Sequence, residues 1–317
     1  MPSEEPIVSD RPRWTRIYLH RLRDSERWKA YAPRDDDIIV CSPQKAGSTW
    51  MRTICALLVF QSSEFPAPLS QFSPCLESLN LPIADLMARL ERQTHRRIIK
   101  THLPLDGLPY HDAPTYLFIG RDPRDIFLSL ARHIANVHPD ARLMNGAPPW
   151  PLDEIPDDRR AFFRKWITTP GFPGEQDGWP ASSPLSLART YWRHRGCPNI
   201  HLFHYADLKA DLTGQMRRVS GILGIPVNEE RWPRLVDAAR FESMKRRASE
   251  LVPPGGRDPA TFFAKGKSGQ FEDVLGPIER ALYRRAMTER VAPDLADWLE
   301  NGGMARADAA GAPASGR

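Results

Sequence analysis

Three short stretches carry residues whose types and spacing could do chemistry on a phosphorylated ligand. In the first, Pro43-Gln44-Lys45-Ala46-Gly47-Ser48-Thr49-Trp50 follows an apolar run and opens a helical pattern. Small residues at Ala46, Gly47 and Ser48 let the backbone wrap closely round an anion. A helix N-terminus there offers N–H groups and the positive end of a dipole. Lys45 adds a full charge, and Ser48 and Thr49 add hydroxyl donors. The spacing is not GxxxxGK[ST], in which lysine directly follows the last glycine; here Lys45 comes two residues before Gly47. Taken alone, the stretch is either a phosphate cradle or an ordinary strand–turn–helix connection with a capping serine.

The second stretch is Gly120-Arg121-Asp122-Pro123-Arg124-Asp125. Asp122 suits a helix N-cap and Pro123 the first helical position. Arg121 can fork onto a phosphate, and Ser129 lies two turns further in. A capped helix with surface ion pairs from Arg121 and Arg124 is the plainer alternative. The third stretch, Ile98-Ile99-Lys100-Thr101-His102-Leu103-Pro104, reads as a strand running out into a loop. Alternation puts Lys100 and His102 on one side and Thr101 opposite. A neutral imidazole can take a hydroxyl proton near pH 7. Lys100 can stabilise charge on a transferring group. As an isolated member of nine histidines, His102 would be read as structural.

The elements that must position these residues are legible as pattern. Ile38–Cys41, Arg97–Lys100, Thr115–Ile119 and Ile200–Phe203 are short apolar runs expected as buried strands. Trp50–Phe60, Asp125–Ile134 and Leu212–Leu223 have helical spacing. Strands alternating with helices predict an α/β fold, a single domain over residues 1–301 with a central, mainly parallel sheet flanked by helices. Ligands bind beyond the carboxyl ends of such strands, which is where all three stretches fall. Residues 1–12 are expected to form a loose arm and 302–317 a disordered tail. Residues 139–184, dense in Pro, Gly and Trp, are expected to be an irregular loop region on the acceptor side. Trp150, Phe162, Phe163, Trp166 and Trp179 are available there for apolar contact with a substrate or for the core.

Composition narrows the class. Forty-four basic against 39 acidic residues give a formal net charge of +5, compatible with an anionic ligand or with nucleic acid. No two of the four cysteines form a CxxC pair, so neither zinc nor dithiol chemistry is indicated. The polar N-terminus lacks an apolar core for a signal peptide, and no stretch reaches the ~18 apolar residues of a membrane span. A cytoplasmic protein with reduced thiols is expected. No acidic cluster suited to magnesium stands out, so no metal is expected.

Together, in this order along the chain, the motifs resemble those of the cytosolic-type sulfotransferases that use 3′-phosphoadenosine 5′-phosphosulfate. Pro43 to Trp50 is similar to that family's 5′-phosphosulfate loop. The resemblance implies a P-loop-like nucleotide-binding architecture, with Lys45 on the 5′-phosphate and the bridging oxygen. It implies that Gly47, Ser48 and Thr49, with Ala46, grip the phosphate and that Trp50 packs on adenine. Arg121 and Ser129 have the spacing of the family's 3′-phosphate pair. Arg240–Lys245 is similar to the segment whose aromatic residue, here Phe241, stacks on adenine. Tyr205-Ala206-Asp207-Leu208-Lys209 is similar to a segment after the fourth strand, with Tyr205 lining the site. Lys265, Gly266 and Gly269 match a C-terminal glycine loop, but Ala264 stands where an arginine is usual. LysThrHisLeuPro at 100–104 matches the catalytic segment, making His102 the base and Lys45 and Lys100 the charge-stabilising groups. The implied acceptor is a small, hydrophobic hydroxyl compound such as a phenol, alcohol or lipid-like alcohol. The family's short dimerisation motif is not recognisable, so a homodimer is left open. A P-loop kinase or hydrolase, or a basic module for nucleic acid or another polyanion, are the rival readings.

Overall fold

The computed structural model describes residues 4, 6–8, 10–138, 140, 141, 143, 146, 150–252, 258–263 and 269–303. Its centre is a four-stranded, all-parallel sheet. A small antiparallel hairpin, Leu19–His20 (β1) and Arg23–Asp24 (β2), precedes Ile38–Cys41 (β3), Ile98–Thr101 (β4), Thr115–Gly120 (β5) and Ile200–His204 (β6). The spatial order is β4-β3-β5-β6. Val40 lies beside Lys100 on one side and Leu117 on the other. The chain leaves β3 for one edge and then returns to the other side. A crevice therefore opens where the strand order reverses, beyond the carboxyl ends.

Both faces of the sheet are covered, so the strands are nearly continuous apolar runs. Alternate residues feed two cores. Ile39, Ile99, Tyr116, Phe118 and Leu202 join Phe127, Phe163, Trp166, Tyr191 and Trp298 on one face. Ile38, Val40, Ile98, Leu117 and Phe203 join Ile54, Leu58, Met216, Val219 and Leu235 on the other. The helices that supply these side chains include Ser48–Phe60 (α1), Pro123–Ala135 (α2), Arg159–Thr168 (α3), Pro184–Arg193 (α4), Leu212–Leu223 (α5), Trp232–Ala239 (α6), Phe241–Arg246 (α7), Pro277–Arg290 (α8) and Pro293–Asn301 (α9).

Differences from the sequence pattern have local causes. β4 starts one residue later than the apolar run; the Arg97 carbonyl still accepts from the Ile38 amide at 2.9 Å, and its side chain pairs with buried Asp37. Asp37 also accepts from the Tyr31 hydroxyl at 2.6 Å, so one carboxylate anchors the amino ends of β3 and β4. The region 139–184 is not irregular throughout. Asp158 accepts from the Ala161 amide at 2.7 Å and caps α3, which buries Phe162, Phe163, Trp166 and Ile167. Three of the aromatics offered as acceptor contacts, Phe162, Phe163 and Trp166, are therefore core, packed against Phe127. The N-terminal arm is partly docked, with the Val8 amide donating to the Arg193 carbonyl at 2.8 Å. The four cysteines are free. Most of the tail, 304–317, lies outside the described residues. No helix among the described residues is long and apolar enough to cross a membrane.

Candidate active site

The loop after β3 is shaped by two left-handed residues, Lys45 at φ +69° and Gly47 at φ +122°. Gly47 is the N-cap of α1 and provides no side-chain cap, so the first-turn N–H groups are left to a ligand. A Cβ at Gly47 would lie 2.9 Å from Ile119 Cδ1 and 3.1 Å from Tyr205 Cδ2, so a larger residue would clash as well as strain the turn. At the end of β5, Asp122 caps α2 through the Arg124 amide at 2.8 Å, with Pro123 as its first residue. Arg121 lies just before α2, with its Nη1 donating to the Lys45 carbonyl at 3.0 Å and its guanidinium 4.2 Å from the Tyr205 ring centre. Loop and arginine are thus built as one unit.

These elements enclose a cavity of about 430 Å³. Lys45, Gly47, Ser48, Thr49, Trp50, Lys100, His102, Arg121, Ser129, Tyr205 and Phe241 all line it, as the sequence motifs require. Ala46 is brought to the loop but is fully buried and contributes backbone only. Lys265 and Gly266, with Ala264 and Lys267, lie outside the described residues. Gly269, the end of that glycine loop, takes φ +79°, and its amide donates to the Asp125 carboxylate at 3.2 Å.

The cavity is strongly cationic. Burial holds Lys45 well below the ordinary lysine range, and Lys100, Arg121 and Arg132 push it further down. Lys100 is pushed down to about 8, by burial first and Arg52 next. Among the described residues, the buried Nε groups of Arg121 and Arg132 find no partner. Asp125, 3.7 Å from Arg121, is a partial counterweight, itself raised by burial. Buried cations that repel one another are stabilised by an anion placed among them. Trp50 and Tyr205 meet edge to face with ring centres 5.3 Å apart, and Phe241 joins them in the cavity wall. That aromatic group beside the cations suits a nucleobase attached to phosphates. The donor set therefore fits a nucleotide bearing two phosphate groups.

His102 is held in one tautomer. Its Nδ1 lies 2.7 Å from the Ser42 carbonyl oxygen. A carbonyl can only accept, so Nδ1 carries the hydrogen and Nε2 is left as the basic nitrogen. Burial, with Lys100 and Arg23 next, holds the imidazole well below its ordinary pKa, so it is neutral. Its backbone amide donates to Glu77 Oε1 at 2.7 Å, and the Thr101 hydroxyl donates to the same oxygen at 3.2 Å. Glu77 Oε2 accepts from Trp28 Nε1 at 3.0 Å.

Three residues of consequence escaped the sequence motifs. Arg132 and His133 stand three and four residues beyond Ser129, on the helical face that already carries it, so that spacing could have revealed them. Glu77 comes from a loop with no periodic signal. Trp150 reaches the cavity only indirectly, edge-on to His133 with ring centres 6.1 Å apart.

A family model described as the sulfotransferase domain matches residues 35–294. A glycolipid sulfotransferase of Mycobacterium bovis (strain BCG / Pasteur 1173P2) is 35% identical over 324 residues, covering 95% of this chain and 98% of that protein. A luciferin sulfotransferase of Photinus pyralis is 28% identical over 254 residues, covering 73% and 62%. Among solved structures, a mouse sulfotransferase complexed with PAP superposes with a TM-score of 0.63 at 20% identity, covering 84% of this chain and 88% of that one. A retinol dehydratase in complex with retinol and PAP gives a TM-score of 0.61 at 19% identity, covering 84% and 87%.

Proposed function

The chain belongs to the sulfotransferase family, and from that premise we propose that it moves a sulfuryl group from 3′-phosphoadenosine 5′-phosphosulfate to a hydroxyl acceptor with His102 as base. The observation that carries this reading is the neutral, tautomer-fixed His102 in one cavity with Lys45, Lys100 and an amide-lined loop. When bound, the donor supplies an electrophilic sulfuryl group and a nucleotide leaving group.

The geometry supports the following part for the protein's own groups. His102 Nε2 receives the acceptor's proton. The His102 ring cannot turn away without losing its Nδ1–H bond to Ser42. Lys45 and the α1 amides face the negative charge that grows on the leaving oxygen; preorganised donors of this kind contribute on the order of 2.7–4 kcal/mol each. Lys100 steadies the sulfuryl oxygens. Arg121 and Ser129 hold the 3′-phosphate, with Arg132 compensating for the arginine that Ala264 replaces. Trp50, Tyr205 and Phe241 bracket the base.

A hydrophobic, lipid-bearing alcohol is the favoured acceptor, supported by the apolar rings of Phe262 and Phe263 in the cavity wall and by the glycolipid-directed relative. The test is an acceptor screen with the phosphosulfate donor, read by mass spectrometry for an added sulfuryl group. Transfer to lipid-like alcohols is expected. Transfer to amines alone, or to nothing, would overturn the assignment.

A further inference from the structure

His102 shares the cavity with a second imidazole, His133. The two enter from different elements, His102 just past the end of β4 and His133 from α2. Trp150 and Phe262 meet the His133 ring edge-on, with centres 6.1 and 6.0 Å away, and so fix its plane while occupying neither nitrogen. Among the described residues no protein group hydrogen-bonds to either nitrogen. Burial, then Lys45 and Lys100, holds the ring well below its ordinary pKa, so it is neutral, with one donor and one acceptor to satisfy. Lys45 Nζ lies 3.6 Å from the centre of the same Phe262 ring that meets His133, which puts His133 at the reacting end of the cavity. His133 therefore faces the place where an acceptor must arrive.

We propose that His133 determines acceptor specificity by hydrogen-bonding a second hydroxyl of the acceptor, next to the one that reacts. The acceptor class is then a polyol headgroup, such as a sugar ring, rather than a lone hydroxyl on a hydrocarbon. This rests on the hydroxyl-transfer reading above. A buried polar group aimed at a substrate hydroxyl discriminates strongly, because the analogue lacking that hydroxyl leaves it unpaired.

The test compares octyl β-D-glucoside with 1-octanol, which share a tail and differ in the extra hydroxyls. The full-length chain and 3′-phosphoadenosine 5′-phosphosulfate are used, and kcat/KM is read by mass spectrometry. The wild type should favour the glucoside by about tenfold or more, and His133→Phe should cut that ratio by a similar factor. His133→Asn, which keeps a donor and an acceptor, should retain most of it. Equal or better transfer to octanol by the wild type would overturn the inference. So would His133→Phe slowing both acceptors alike, since the ring would then serve the donor or the fold. Calorimetric binding of PAP shows whether each variant keeps its donor site. If His133→Phe loses it, His133→Ala carries the comparison, and an unchanged ratio there overturns the inference. Should the wild type bind PAP yet sulfate neither acceptor, the hydroxyl-transfer reading falls, and this inference with it.

Discussion

The chemistry of His102 depends on one short contact. The Ser42 carbonyl claims Nδ1, and that leaves Nε2 unprotonated. Replacing His102 with Ala should lower turnover by roughly 10²–10⁴-fold, the usual worth of a general base. PAP affinity, measured by calorimetry, should change little; wild-type turnover in that variant would remove His102 from the mechanism. The pH profile follows from His102, Lys100 and Lys45, all three held below their ordinary values. A histidine whose folded pKa is lowered stays deprotonated, and so competent as a base, below its ordinary 6.5. Lys100, pushed down to about 8, loses its charge as pH rises through that value. For the free enzyme, kcat/KM should show no acid limb at 6.5 and should have declined above about 8, where Lys100 and the likewise lowered Lys45 lose their charge. An acid limb centred near 6.5 would show that the imidazole titrates like an exposed one.

At the scale of elements, β4 and α2 do most of the positioning. β4 runs to Thr101, and His102 beyond it is held by Glu77, which gathers the His102 amide, the Thr101 hydroxyl and the Trp28 indole N–H. Deleting that carboxylate strands three buried donors. Glu77→Ala should therefore destabilise the fold by about 3 kcal/mol or more, with each orphaned donor costing roughly 1–3 kcal/mol. Glu77→Gln should cost less while slowing turnover more than it weakens PAP binding. Denaturant midpoints and kcat on the same samples check this. An unaffected kcat in Glu77→Gln would limit Glu77 to a structural part. α2 carries Ser129, Arg132 and His133 on one stripe of the cavity wall, so on the proposed reading a single helix serves both the donor and the acceptor end. The motif spacing disclosed Ser129. Its neighbours one turn on needed only the helical period to be followed further.

At the scale of the molecule, the sheet order gathers the cations. β3, β4 and β5 lie side by side, so the loops that leave them converge on one crevice. Lys45, Lys100 and Arg121 come from those three loops and strand ends, and Lys100 and Arg121 help to hold Lys45 below its ordinary range. Such a site is destabilising until an anion occupies it. PAP at one hundred times its Kd should stabilise the fold by about 2.7 kcal/mol, the ordinary linkage value. Thermal unfolding should show Tm rising with PAP, more steeply at low salt than at high. A Tm indifferent to PAP would mean that the cavity does not hold the nucleotide.

Much of this was legible in the residues alone. The loop from Pro43 to Trp50, the Arg121–Ser129 pair and the Lys100–His102 strand end are local patterns. Glycine freedom, helix capping and strand alternation act over a few residues, so spacing records them. The four strands show for the same reason: buried on both faces, they must be apolar throughout. Other features depend on residues far apart in the chain. Ser42 sets the His102 tautomer from 60 positions away and Glu77 holds its amide from 25. The aromatic face of α3 was hidden by its Pro-rich flanks, and only packing against Phe127 decided that those rings are core. Likewise, the helical period could put His133 on the face of Ser129, but only the assembled cavity shows its ring in the wall with no hydrogen-bond partner among the described residues. A place in the cavity wall and the lack of a partner among the described residues are properties of the assembled fold, and they turn an imidazole on a helix into a candidate reader of the acceptor.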